Sequence, residues 1–544
     1  MDTPFKIYNA SAGSGKTYTL TKEYLKIILS SSRAYQKILA ITFTNKAVNE
    51  MKERILGSLF DFSHNTASSM FQDISKELDL DSRTLQQRAT ATLKEILHNY
   101  AFFDISTIDK FTHRLIRTFA KDLKLPQNFE VVLDIDLLLD EAVSKLINRA
   151  GRDEKLTEVL IAFALEKIDD DKSWDIGIDL TKIGKLLFNE TNTPHLKKLA
   201  NKNIDAFLNL QNSILKKVKN SEKNIQSIGE SVLKLIDDSG LNSTDFPRET
   251  LPNHFKKIID GVFDATKLYN NKLEENLIAG KILKASVDFP ADELAAQILH
   301  QYLEVKQLVY DRALLKNVYK NIVPLTVLNA IQQEVKKIEL DRDLLSISEF
   351  NSIISNEIKN QPAPFIYERL GEKYRHYFID EFQDTSEMQW LNLIPLVDNA
   401  LSTENGSLFL VGDAKQAIYR WRGGRAEQFL RLTNKQENPF VAEPVVKVLE
   451  TNYRSRAEII QFNNSFFQSV SDFLKKPAYQ QLFIEGNKQL QNAKEGGYVE
   501  MSFLDEDNVD DKDELYCNAV LETIHKVNPQ GDAYNNICVL ARSN

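Results

Sequence analysis

Ala10-Ser11-Ala12-Gly13-Ser14-Gly15-Lys16-Thr17 is the stretch on which the fold turns. Gly13, Ser14 and Gly15 are small enough for consecutive backbone N–H groups to turn inward on an anion. Lys16 adds a cation that reaches β- and γ-phosphates, and Thr17 a hydroxyl that ligates Mg²⁺. Such a loop needs a strand before it and a helix N-terminus after it. Phe5-Lys6-Ile7-Tyr8 is the short β-like run in front. Behind it, Leu20, Tyr24, Leu25 and Ile28 fall at helical spacing and predict a helix from Thr17 to about Leu29. Ala10 stands where the general pattern has glycine; alanine is the smallest substitute. A flexible loop that merely caps a helix is the bland alternative, and the two flanks weigh against it.

Outward from the loop, Lys37–Phe43 is a continuous apolar run, the mark of a buried strand, and Asn45–Phe60 has the period of an amphipathic helix. This alternation predicts a parallel sheet with crossover helices. From residue 126 to 344 the texture turns helical, as in Leu137–Ile147, Leu156–Ile168 and Asn224–Ile236. It reads as an insertion splitting the first α/β domain; an independent helical domain would differ only in connectivity. Gln361-Pro362-Ala363-Pro364 is a loop signal, after which Tyr374–Ile379 and Ser407–Val411 read as strands. A second α/β region begins near residue 445, with strands expected at Val445–Leu449, Gly497–Phe503 and Asn536–Leu540. Asp505–Glu514 reads as a solvated acidic loop. The expected fold class is α/β: a P-loop NTPase domain on a parallel sheet (1–125 and 345–444), a mostly helical insertion (126–344), and a partial second α/β domain (445–544).

At 544 residues the chain is too long for one core. No apolar run approaches the roughly 20 residues needed to span a bilayer, and Met1–Lys6 lacks the pattern of a signal peptide. A cytoplasmic protein without membrane contact is expected. Cys517 and Cys538 are too few for a metal cluster, and Cys538, inside an apolar run, reads as buried. A net charge of −9 argues against a protein that coats nucleic acid with a basic surface, but leaves room for a local phosphate groove.

Three further segments carry chemistry. Asp380 and Glu381 follow the apolar run Tyr377-Phe378-Ile379. A carboxylate at that strand end can hold Mg²⁺ beside a phosphate loop, and the next can orient and activate water. An acidic helix N-terminus would explain Asp380 alone, but not its company with Lys16 and Thr17. Gln416, in Gly412-Asp413-Ala414-Lys415-Gln416, can donate and accept at once and so sense a γ-phosphate. In Ala417–Arg425, aromatics interleave with arginines, Arg422 among them, a pattern that holds single strands by stacking and phosphate contact. Taken alone, Tyr419 and Trp421 could equally be core residues. Arg454 and Arg456 lie after the strand at 445–449; such an arginine can stabilise charge on a γ-phosphate, and Tyr453 can stack on adenine.

These segments, in this order, resemble the motifs of superfamily 1 DNA helicases of the UvrD/Rep type. The segment Ile41–Arg54 resembles the family's second motif, which implies that Phe43 and Asn45 contact DNA. The resemblance further implies RecA-like domains, Ala12–Thr17 around the phosphates of ATP, Thr17 and Asp380 on Mg²⁺, Gln416 and Arg454 at the γ-phosphate, Tyr453 on the base, and Tyr419 and Trp421 on DNA bases. Ala10-Ser11-Ala12-Gly13 and Lys415 before Gln416 look like the RecB/AddA branch. Thr107-Ile108-Asp109-Lys110-Phe111 departs from the family pattern, with Asp109 for histidine and Lys110 for a small residue. The family's last motifs would follow a strand such as Asn536–Leu540, so a longer parent protein is expected.

The leading expectation is an ATP-dependent DNA translocase or helicase in repair or recombination, moving 3′→5′ by resemblance. It would act on single strands and duplex junctions, with a possible second subunit of a helicase–nuclease complex. The competing expectations are a non-catalytic ATP- or DNA-binding module, and a P-loop ATPase unrelated to nucleic acid.

Overall fold

Every residue of the strands Ile38–Thr42 and Ser407–Gly412 is buried, as parallel sheets covered on both faces require. The computed structural model describes residues 3–123, 125–126, 128–132, 134–169, 175–199, 202, 204–360, 373–486, 488–505, 511–531 and 533–541. The Pro-rich tract at 361–364 lies outside them. In chain order the strands are β1 (Phe5–Ala10), β2 (Ile38–Thr42), β3 (Ile105–Thr107), β4 (Glu130–Val132), β5 (Leu344–Ser346), β6 (His376–Ile379), β7 (Ser407–Gly412) and β8 (Val445–Leu449). Six form one sheet in the order β3-β2-β6-β7-β1-β8. The β2–β3, β2–β6 and β6–β7 pairs are parallel. At the start of β7, the Leu408 N–H donates to the Pro4 carbonyl just ahead of β1 at 2.8 Å.

The chain divides into two compact units. One holds residues up to Tyr8 and Thr19–Lys447; the other holds Asn9–Tyr18 with the residues from Val448 onward. In the first unit, the helix from Lys16 to Ser30 covers the sheet through Tyr24, whose ring lies 5.4 Å from Phe378, itself stacked on Phe409 at 4.5 Å. Beneath it, Glu23 accepts from the Tyr8 hydroxyl at 2.7 Å and pairs with Lys6 at 3.3 Å. Both members of that ion pair are almost wholly buried. They fasten β1 to the helix that follows the glycine-rich loop.

The helical segment leaves and rejoins the α/β part at one place. β4 pairs in parallel with β5, with Glu130 opposite Leu344. Between them a helix of 51 residues, Ala291–Asp341, serves two apolar cores. Its first half packs with the Ile204–Asp238 helix around Phe255, Ile298 and Val305. Its second half packs with the Ile135–Ile147 helix around Leu139, Leu146 and Ile331.

In the second unit, the Ala457–Val470 and Pro477–Glu485 helices meet through Phe467 and Phe483, stacked at 5.4 Å. Here the structure corrects the sequence reading. Residues 497–503 and 536–540 are not in strands, and β8 extends the six-stranded sheet. Apolar alternation announces a surface to be covered, but a strand also needs a ladder partner, which neither run has among the described residues. Phe503 and Leu540 accordingly stand about nine-tenths exposed, at 89% and 91%. Cys538 is exposed rather than buried for the same reason. Part of the expected acidic loop is a helix start: the Asp511 side chain caps the Lys512–Val527 helix by accepting from the Asp513 and Glu514 N–H groups. No described helix is long and apolar enough to cross a membrane.

Removing one member of a buried ion pair leaves the other charged and desolvated. Glu23→Ala is therefore expected to lower stability by about 3 kcal/mol, read as a shift of the urea unfolding midpoint. Lys155→Ala, which breaks an exposed pair with Asp205, is expected to leave the midpoint in place.

Candidate functional site

In the second unit the glycine-rich loop is shaped by two left-handed glycines, Gly13 at φ 75° and Gly15 at φ 84°. L-residues adopt that region at a cost, glycine freely. Ser14 folds the loop on itself: its N–H and hydroxyl both donate to the Ser11 carbonyl, at 3.2 and 2.8 Å. The loop is then tied to the segment that carries the arginines. The Tyr453 N–H donates to the Gly13 carbonyl at 2.9 Å, and the Gln489 amide to the Ala12 carbonyl at 2.8 Å. With these carbonyls engaged, the loop is braced from behind. Asn452 is locked as well, its Oδ1 accepting from the Arg454 and Ser455 N–H groups at 2.9 Å each while its Nδ2 donates to Gln489. A β-carbon on Gly13 would stand 2.5 Å from that Oδ1 and 2.8 Å from the Arg454 Cβ. Tyr453 is 61% exposed, and Lys16 and Thr17 are half-buried. This unit thus brings together Ala12, Gly13, Ser14, Gly15, Lys16, Thr17, Tyr453 and Arg454.

In the first unit, β6 runs into Asp380, whose N–H still completes the ladder to Ile41 at 2.9 Å. Glu381 then takes a left-handed conformation at φ 51°, which costs a non-glycine residue of order 1 kcal/mol and redirects the chain as it leaves the sheet. The Glu381 N–H donates to Asp380 Oδ1 at 3.0 Å. Its carboxylate accepts from Gln383 Nε2 at 2.7 Å. Gln383, fully buried, accepts in turn from the Asp413 N–H at 2.9 Å. The Asp413 carboxylate receives Gln416 Nε2 at 2.8 Å and the Lys415 ammonium at 3.2 Å. A continuous polar relay, Glu381–Gln383–Asp413–Gln416, therefore joins the ends of two adjacent strands. It needs Gly412, because a β-carbon there would lie 2.8 Å from Gln383 Oε1 and 3.1 Å from the Phe429 ring.

The relay leads directly into the aromatic segment. Tyr419 lies against Phe43, at the end of β2, with ring centroids 4.2 Å apart. The Arg422 guanidinium sits 5.4 Å over the same Phe43 ring and pairs with Asp109 at 2.9 Å. Trp421 is 71% exposed, which removes the core alternative for it, while Tyr419 is half-buried. Asn45 is exposed at the first turn of the Asn45–His64 helix, next to Thr44, whose side chain caps that helix. Phe43, Tyr419, Trp421 and Arg422 thus form one surface, with Asn45 beside it in sequence.

Three residues of these surfaces carry no role on sequence grounds alone. Gln383 and Asp413 stand inside the quoted motifs, beside the residues to which the motif chemistry points. The signal was present, since both are polar residues next to apolar strand ends. Asp109 departs from the family pattern, and its pairing with Arg422, more than three hundred residues away, has no local signal in the sequence.

The chain matches the UvrD/REP helicase N-terminal domain over residues 2–437. It is similar to an ATP-dependent helicase/nuclease subunit of Clostridium novyi, at 24% identity over 93% of this chain and 42% of the relative. The protein of the same name from Clostridium kluyveri is 27% identical, over 97% of this chain and 44% of the relative. The RecBCD enzyme subunit RecB of Chlamydia muridarum is 25% identical, over 86% of this chain and 43% of the relative. The chain spans less than half the length of these curated relatives. With the glycine-rich loop, the carboxylates after β6 and the relay to Gln416 in place, the match over most of its length settles the assignment: this chain belongs to the UvrD/REP helicase N-terminal domain family.

Proposed function

We propose that this chain is the ATP-hydrolysing part of a DNA translocase or helicase of the helicase–nuclease kind, acting in repair or recombination. The observation that carries the reading is the relay from Glu381 through Gln383 and Asp413 to Gln416. It gives a water-activating carboxylate and a phosphate-sensing amide one shared, rigid connection, and it ends three residues before the aromatic surface. A change at the nucleotide then has a physical route to the strand-holding side chains.

In this reading RecA-like domains hold ATP. Ala12, Gly13, Ser14 and Gly15 surround the phosphates with backbone N–H groups, Lys16 neutralises the β- and γ-phosphates, and Tyr453 stacks on the base. Thr17 and Asp380 would hold Mg²⁺, which would supply neutralisation of charge on the phosphates. Glu381 orients and deprotonates water, Gln416 registers the γ-phosphate, and Arg454 offsets charge as it leaves. Phe43, Asn45, Tyr419, Trp421 and Arg422 hold single-stranded DNA without sequence preference. The helical segment acts as an insertion in the first domain. Movement is 3′→5′, and a second subunit completes a helicase–nuclease complex, as the relatives' names describe for those proteins.

Single-stranded DNA is expected to stimulate ATP hydrolysis by this protein. Lys16→Ala is expected to cut the rate by about 100-fold or more, and Glu381→Gln to cut it similarly while nucleotide binding persists. Phosphate release and fluorescent-nucleotide titration measure the two. Retained ATP and DNA binding with no turnover in any version of the protein would replace this reading with the binding-module one. Turnover indifferent to DNA would replace it with a P-loop ATPase of another kind.

Gly13→Ala places a methyl group on a locked Asn452 side chain at positive φ. It is expected to weaken nucleotide binding by about tenfold or more. Gly57→Ala, in a helix with nothing within 4 Å of the added carbon, is expected to leave binding unchanged. Titration of a fluorescent ATP analogue checks both.

A further inference from the structure

Two carboxylates from distant parts of the chain close on the loop that carries Tyr419, Trp421 and Arg422. Asp109, at the start of the Ile108–Thr118 helix, accepts from Arg422 at 2.9 Å and from the Gln389 amide at 3.3 Å. Glu190, from the helical segment, accepts from the Ser386 hydroxyl at 2.6 Å and from the Asn351 amide. Its neighbour Asn189 donates to the Trp421 carbonyl at 3.5 Å. The loop offers no slack between these contacts. Gly424 bridges to Ser386, and a β-carbon on it would meet the Asp384 and Tyr419 carbonyls at 2.9 and 3.1 Å. Gly423 holds φ 96°, with the Ser386 Cβ and the Glu190 carboxylate on the side a β-carbon would occupy. The guanidinium is thereby fixed across the Phe43 ring, which carries Tyr419 on it.

The electrostatics agree with that placement. Burial holds the Asp109 carboxyl above the usual range, offset by Arg422 and the Gln389 hydrogen bond. Burial also raises Glu190; Ser386 and Asn351 pull it down, Asp109 pushes it up, and Arg422 offsets that push. Both acids thus sense the same guanidinium. A phosphate contact alone would favour a free arginine with no half-buried acids beside it. An arginine paired with one such acid, within the field of a second that is anchored on Ser386, and laid on an aromatic ring, is a device for holding the loop in one conformation.

We propose that Asp109 and Glu190 are positioning residues for the single-strand surface: they hold the Tyr419–Gly424 loop, with Arg422 laid over Phe43, in the conformation that receives bases, and Glu190 makes the helical segment a structural support of that surface. The inference rests on the single-strand reading of Phe43, Tyr419 and Trp421 given above. It assigns the helical segment a task that nothing in its own sequence announces.

The test uses the whole 544-residue chain and an oligothymidylate, fluorescein-labelled for affinity or carrying 2-aminopurine to report base stacking. Asp109→Ala and Glu190→Ala are each expected to weaken binding by about tenfold and to reduce the stacking signal. Asp109→Asn keeps an oxygen that accepts from Arg422 and is expected to recover part of both. The Asp109→Ala/Arg422→Ala double variant is expected to bind no more weakly than Arg422→Ala alone, since the two residues act as one unit. Should an alanine variant not fold, the cycle is run with Asp109→Asn, Glu190→Gln and Arg422→Gln, which retain the side-chain size. Effects that multiply in the double variant would overturn the proposal. So would an Asp109→Ala protein that binds as tightly as the parent or more tightly, which would make Asp109 a competitor of phosphate for Arg422. If the parent protein neither binds the oligonucleotide nor stacks its bases, the single-strand reading falls and this inference with it. If it does both and the Asp109 and Glu190 variants match it, only this inference falls.

Discussion

One buried amide sets the terms for the first unit. Gln383 receives the Asp413 N–H at 2.9 Å and donates to Glu381 at 2.7 Å. A side chain so buried must have partners for both ends of its amide, or cost the fold several kcal/mol. Satisfying it fixes where β6 and β7 end relative to each other, demands glycine at 412, and turns Glu381 into a left-handed backbone. The strain at Glu381 and the bare backbone at Gly412 are the local costs of that arrangement, and the apolar contacts around Phe382 and Phe429 offset them.

The second unit solves a related problem with less apolar surface. Its loop relies on backbone carbonyls bonded from Tyr453 and Gln489, on a doubly bonded Asn452, and on two glycines at positive φ. Polar bracing of this sort is directional, so it specifies one loop shape; a hydrophobic cluster specifies only proximity. That is also why Gly13 is so exposed to substitution. Its neighbours are not flexible tips that can swing aside but a side chain held at both of its polar atoms.

The parts legible in the sequence were those whose physics is local. The glycine-rich loop, the buried runs at 38–42, 376–379 and 407–412, and the polar residues after them declare themselves by size and hydropathy within a few positions. What stayed hidden depends on partners far away. The sheet order interleaves strands from both ends of the chain, and the β4–β5 pair joins positions more than two hundred residues apart. The runs at 497–503 and 536–540 show the converse failure. Their alternation reads as strand, but a strand is made by its neighbour, and without a ladder the same residues stand exposed, Cys538 among them. Trp421 went the other way: an aromatic that could have been core is at the surface because Gly423 and Gly424 hold its loop against the Asp384–Ser386 backbone.

Asp109 shows how a departure from a family pattern becomes intelligible only in three dimensions. Read along the chain, an acid in place of histidine subtracts a DNA contact. Placed in the fold, it faces Arg422, and the two charges are satisfied by each other and by Gln389. A lone carboxylate at that depth would be costly, and the half-exposed Arg422 guanidinium, laid on Phe43, supplies the charge that offsets it. On the proposed single-strand reading, the exchange replaces a direct contact to nucleic acid with one that orders the Phe43–Tyr419–Trp421 surface. On that reading, recognition shifts from hydrogen-bonding groups towards a rigid aromatic surface, and stacking on such a surface is tolerant of sequence because every base has a π-face.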